Sequence, residues 1–302
     1  MTRFGKILIS LVAVVSLVAA IVLWRRPAIA EFESPRRAVT AFVLVLQADN
    51  TAAAQAILGP AGERLINTAD GQPDRPAIRK FISAYSSRAT IIPQGKRGAI
   101  LEVGKDDWPF PIPLAKGAIG WHFDARAGKR ELAARRIGQD ELSTIQSCKA
   151  FVDAEREYAL VRRGAVFSYA RRIASARGGT DGLYWPAMPG KPPSPLGPVF
   201  SRAEISAPEN SGNAEPFHGY YYRILTAQGS SADGGAYGYL ARGKMIGGFA
   251  VIAYPSEYRV TGVMTFIVNQ AGIVFQRDLG PQTPAIVSRI KAYDPGEGWV
   301  QA

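Results

Sequence analysis

One stretch of this chain, residues 7–24, is apolar apart from Ser10 and Ser16, and everything after it mixes apolar and polar residues at short periods. That contrast confines membrane contact to the amino terminus and obliges the remainder to build its own cores. Arg3 and Lys6 precede the run, as in a secretory leader. Its length falls between the core of a cleaved signal peptide and a full transmembrane helix, so length alone does not separate the two. Arg25-Arg26-Pro27-Ala28-Ile29-Ala30 ends in the small-x-small pattern that a signal peptidase accepts. The same Arg25-Arg26 pair leaves charge on both flanks of the run and weakens the orientation signal. Two outcomes stay open for residues 1–30: cleavage after Ala30, or retention as a single-pass inner-membrane anchor touching lipid through residues 7–24. Either one predicts a periplasmic or otherwise extracytoplasmic location for the rest.

Of 302 residues, 47% are hydrophobic and 20% charged, which excludes a disordered tail and a multi-span membrane protein. The single cysteine, Cys148, rules out an internal disulfide and lies too far from the leader to carry a lipid anchor. With two histidines in the whole chain, no metal centre or cofactor is expected. The net charge of +11 includes Arg3, Lys6, Arg25 and Arg26 of the leader. The remaining basic residues come as scattered pairs, Arg36-Arg37, Arg135-Arg136, Arg162-Arg163 and Arg171-Arg172, which read as solvated surface and not as a nucleic-acid stripe.

The periodicity predicts an α+β protein in two parts, 31–138 and 139–302. Ser34 and Pro35 open a helix whose Ala38, Val39, Phe42, Val43 and Leu46 share a face. A short helix over 52–58 ends at Gly59-Pro60, and a third follows Asp74 with Ile78, Phe81, Ile82 and Tyr85 on one side and a basic opposite face. The period then drops to two: Ala99, Leu101 and Val103 alternate with polar or outward residues, as do Ile119, Trp121 and Phe123. Proline at every second position of Trp108-Pro109-Phe110-Pro111-Ile112-Pro113 predicts an edge strand. A long helix is expected over 139–161, with Leu142, Ile145, Cys148, Val152 and Ala159 as its buried stripe. Residues 163–216 read as irregular, with six prolines from Pro186 to Pro198 and a Ser211-Gly212-Asn213 tract. Antiparallel strands follow over 220–227, 248–254, 263–268 and 273–277, the second apolar on both faces and therefore central.

Among the longer strings are Asp107-Trp108-Pro109-Phe110-Pro111-Ile112-Pro113, Asp181-Gly182-Leu183-Tyr184-Trp185-Pro186, Ser194-Pro195-Leu196-Gly197-Pro198, His218-Gly219-Tyr220-Tyr221-Tyr222-Arg223 and Met245-Ile246-Gly247-Gly248-Phe249-Ala250. Together they resemble an exported bacterial family known as domain of unknown function 2950 (DUF2950). The resemblance spans about residues 31–295 and implies export but no chemistry. The order of three helices and a curved sheet makes the first part similar to a nuclear-transport-factor-2-like (cystatin-like) cone. A long helix before a sheet makes the second loosely similar to pilin heads.

No nucleophile elbow, phosphate loop, dinucleotide fingerprint or Cys-x-x-Cys pair is present. The leading expectation is a non-enzymatic binding or assembly module of the cell envelope, with an envelope protein, glycan or peptide as partner. Trp108, Phe110, Tyr184, Trp185, Tyr220 and Tyr222 are candidates for a groove that stacks on sugar rings or holds an extended peptide; such a groove requires Trp185 to be partly exposed. The alternative is a small-ligand carrier or hydrolase using the cavity of the first part, with Asp124 orienting His122. A third reading is a hydrolase at the interface of the two halves, built on His218 and Glu257.

Overall fold

The computed structural model describes residues 30–59, 62–68, 70–161, 167–204 and 214–302. The apolar run 7–24 with Arg25-Arg26, the Arg162-Arg163 pair and the 211–213 tract lie outside the described residues. The chain is α+β and divides into two compact units between Leu132 and Ala133, six residues before the expected boundary.

In the N-terminal unit, helix α1 (Pro35–Gln47) starts where Ser34 Oγ accepts a hydrogen bond from Arg37 N at 3.2 Å. Its five predicted inward residues are all buried. Asn50 caps α2 (Thr51–Leu58), α3 (Glu63–Ile66) is a single turn, and Asp74 caps α4 (Arg75–Ser87) by accepting from Ala77 N. Strands β1 (Ala89–Gln94) and β2 (Gly98–Val103) form a hairpin paired from Ala89↔Val103 to Gln94↔Gly98. The other side of β2 is shared by two short strands. Its start pairs with β4 (Leu114–Lys116) and its end with β3 (Trp108–Pro109), while β5 (Trp121–Phe123) completes the sheet on β4. Ala99, Leu101 and Val103 are buried on one face, as the alternation requires. The core centres on Phe42, whose ring lies 5.5–5.7 Å from those of Phe81, Phe110 and Phe123.

Two expectations for this unit need correction. The proline-rich edge strand is only two residues long, because after Pro109 the chain turns inward and buries Phe110 and Ile112. Ile119 is 92% exposed: it sits in a tight turn where Gly117 N donates to Gly120 O, so the strand begins only at Trp121.

Helix α5 (Ala125–Val161) starts 14 residues earlier than its apolar stripe indicates. Asp124 Oδ1 accepts from Arg126 N and Ala127 N, which caps it there. The first turns carry no apolar stripe, and Gly128 occupies a position where a Cβ would lie 2.7 Å from Ile112 Cγ1. Further along, Cys148, Phe151, Val152 and Tyr158 enter the core of the C-terminal unit and Ala159 is buried, whereas Leu142 is 62% exposed and does not belong to the stripe.

The C-terminal unit is organised by a sheet in which β6 (Tyr220–Leu225), β11 (Ala250–Pro255), β12 (Met264–Asn269), β13 (Phe275–Asp278) and β14 (Val300–Gln301) run in the order β14-β13-β12-β11-β6, all antiparallel. The short strands β7 (Ala227–Gln228), β8 (Tyr237–Gly238), β9 (Leu240–Ala241) and β10 (Lys244–Met245) form two small ladders. All six residues of β11 are buried, as expected for a strand covered on both faces. Alternation along β6 assigns those faces. Tyr222 points at α5, where the hydroxyls of Ser147 and Thr144 approach its own, and Arg223 points the other way. There Arg223 Nη2 donates to Val287 O and Ile290 O, both at 2.7 Å, at the end of α7 (Thr283–Val287). These two carbonyl contacts offset part of the desolvation of the buried guanidinium.

Among its described residues the segment before the sheet contains one helical turn, α6 (Pro198–Ser201), yet it is held by side chains. The Glu204 carboxylate accepts from Ile173 N at 2.8 Å and Ala174 N at 2.7 Å. Trp185 is 5% exposed and its Nε1 donates to Pro192 O at 2.9 Å. The proline-rich loop therefore closes over the indole, and the exposed Trp185 that a groove needs is not found.

Candidate functional site

A cavity with an apolar wall lies within the N-terminal unit. Its volume is about 590 Å³, in the range typical of small-molecule sites. The floor comes from α1 through Phe42 and Leu46, one side from α3 through Leu65 and Ile66, another from the Ile78, Phe81 and Ala84 face of α4, and the last from Val103, Trp108 and Phe110. Each contribution follows from local structure. The apolar stripes of α1 and α4 meet over the buried face of β2, and Gly104, at φ 82°, turns the chain back so that Trp108 pairs with Val103. Gly104 N donates to Arg88 O, and an Arg88–Asp107 ion pair at 3.2 Å closes the same turn. The Trp108 ring stands edge-on to Phe110 at 6.3 Å and is 44% exposed, while Phe110 is buried. Two exposed charged side chains line the cavity, Lys80 and Asp106, and among the described residues neither has a hydrogen bond or ion pair.

Of the residues picked from the sequence, Trp108 and Phe110 belong to this wall. His122 and Asp124 do not line it. The Asp124 carboxylate is committed to the cap of α5 and does not orient His122, whose half-buried ring leaves Nδ1 without a hydrogen-bond partner among the described residues. The idea of these two as the polar groups of the cavity is therefore replaced by Lys80 and Asp106. Lys80 belongs to the basic face of α4, but nothing in the sequence marks it as standing at a cavity mouth.

In the C-terminal unit the aromatic strand is core and not groove. Tyr220 and Tyr222 are fully buried, with Tyr220 Oη donating to Met264 O at 2.9 Å. Burial pushes both phenols above their usual range. Tyr184 is half-buried and pairs with Ala174 in a parallel bridge. His218 is exposed, adopts φ 50° and lies against Phe217 with ring centroids 4.1 Å apart. It edges a shallow groove of about 480 Å³ with Ser143, Gln146, Ser147 and Phe200. Asp140 is close by, its carboxyl raised by burial against the pull of Arg136 and His218. Glu257 sits in a turn closed by Thr261, and among the described residues no hydrogen bond or ion pair joins it to His218. Both residues belong to the C-terminal unit.

Among the described residues no helix is long and apolar enough to cross a membrane. No group of three or more His, Cys, Asp or Glu there is placed to hold a metal ion. The most perturbed acid, Glu155, is buried in the C-terminal core. Its Oε2 accepts from Ala170 N at 2.8 Å, its Oε1 has no partner among the described residues, and desolvation raises its carboxyl well above the ordinary range.

No curated protein and no solved structure matches the chain. A family model described as "Protein of unknown function (DUF2950)" matches residues 30–302, and by that match the chain belongs to the DUF2950 family.

Proposed function

We propose that this is an exported cell-envelope protein that works by binding, and that its ligand is a small molecule with an apolar body held in the cavity of the N-terminal unit. The observation that carries the reading is a wall of Phe42, Phe81, Trp108 and Phe110 around about 590 Å³ of space, with one tryptophan half in solvent at the mouth. Water in such a space meets few hydrogen-bonding groups, so an apolar body that displaces it gains free energy roughly in proportion to the area covered. Export is supported by Arg3, Lys6, the apolar run 7–24 and the small-x-small site ending at Ala30. We further infer that the N-terminal unit is a cone of the nuclear-transport-factor-2 type; helices packed on one face of an antiparallel sheet support this. For the C-terminal unit a pilin-like relation has only the order of a long helix before a sheet in its favour.

The test is titration of the full chain with N-phenyl-1-naphthylamine, whose emission rises in apolar surroundings. Saturable binding is expected, weakened at least tenfold by Phe81→Asp, which places a charge in the wall. Absence of saturable binding, or a Phe81→Asp protein that binds as well as the parent while keeping its far-ultraviolet circular dichroism, overturns the proposal.

A further inference from the structure

The charges at the mouth narrow the ligand. Lys80 comes from α4 and Asp106 from the turn leading into β3, and the two border the same cavity. Both are solvent-exposed, and neither is neutralised by a neighbour among the described residues. What sets them apart is their place on the cavity lining; elsewhere in the unit Arg75 pairs with Asp49 and Arg88 with Asp107. Below the two charges the wall is apolar and aromatic.

We infer that the cavity takes a single-chain amphiphile with a zwitterionic head group, its chain against Phe42, Phe81 and Phe110, its anionic centre at Lys80 and its cationic centre at Asp106. The inference rests on the binding reading above and adds the ligand's class to it. A purely anionic amphiphile would satisfy Lys80 and be repelled by Asp106; a purely cationic one would meet the reverse. Only a head group carrying both signs gains at both places. Trp108, edge-on to Phe110 at the mouth, can also lie beside a quaternary ammonium, because the face of an indole attracts cations. Arg79 and Lys105 flank Lys80 and Asp106 in sequence but do not line the cavity, so they add a long-range positive field that salt screens.

The experiment measures binding of four decyl-chain probes, each below its micelle concentration, to the full chain by calorimetry: decyl sulfobetaine, decyl sulfate, decyltrimethylammonium and a neutral decyl glycoside. The sulfobetaine is expected to bind about two- to fivefold more tightly than either singly charged probe, the size of an exposed ion pair. Lys80→Gln should remove the advantage over decyltrimethylammonium, and Asp106→Asn the advantage over decyl sulfate. Equal affinity of the parent for all four probes, or a sulfobetaine advantage over decyl sulfate that survives Asp106→Asn unchanged, overturns the zwitterion and leaves the apolar reading standing. If none of the four binds, both fall.

Discussion

Replacing Glu155 by glutamine tests how this core tolerates an acid. Glu155 is fully buried, and among the described residues its carboxylate has one hydrogen bond, which Oε2 accepts from Ala170 N. Desolvation raises the carboxyl well above its usual 4.5, so the folded protein holds the proton at pH values where the unfolded chain has lost it. The stability tied to that proton is complete below about pH 4.5. It is lost as pH rises towards the folded-state value, at up to about 1.4 kcal/mol per pH unit, because the native state binds more protons than the unfolded one. Glutamine keeps an acceptor for Ala170 N and does not titrate. Urea unfolding followed by far-ultraviolet circular dichroism should therefore give nearly equal midpoints for the two proteins at pH 4.5, with the Glu155→Gln protein gaining over the parent at pH 5.5, 6.5 and 7.5. Equal m values are needed for the comparison to hold. A constant difference across this range, or a gain that shrinks as pH rises, would refute the argument that the native carboxyl is neutral.

Two further outcomes follow from close packing in the C-terminal unit. A Cβ on Gly262 would lie only 2.0 Å from Tyr220 Oη, so Gly262→Ala should lower stability by about 1–3 kcal/mol, and Gly262→Ala combined with Tyr220→Phe should recover part of that loss in urea melts. Cys148 is fully buried and its thiol is pushed up to about 12, so Ellman's reagent at pH 8 should leave the native protein unlabelled and react with one equivalent in urea.

Much of the fold was legible because periodic burial leaves a direct trace. Ser34 and Asp74 marked helix starts, and the two-residue alternation of Ala99, Leu101 and Val103 gave the buried face of β2. The both-faces-apolar pattern of residues 249–254 identified the covered strand β11. What escaped has physical causes. The first turns of α5 carry arginines and a glycine where a stripe would be, and Asp124 signals a cap only once its acceptor role is seen. At the candidate site, Trp108 and Phe110 could be singled out as unusual, but Phe42 and Phe81 looked like ordinary helix-stripe residues. Whether an aromatic residue fills a core or borders a cavity depends on the gap between elements, which sequence periodicity does not encode. The same limit made Trp185, Tyr220 and Tyr222 look like groove residues, since tyrosine and tryptophan serve a core and a binding surface equally well.

The Glu204 carboxylate, joined to the amides of Ile173 and Ala174, bears on how the irregular region comes apart. Strands in a ladder fray one pair at a time, whereas a segment pinned at a few points loses its order when one pin is withdrawn. Glu204 and Trp185 are two such pins for the stretch 170–196, so this stretch should behave as a single cooperative unit of local opening. A protease that samples transient openings would then meet either the intact segment or all of it at once, and the first scissions would cluster there and spare the sheet that follows.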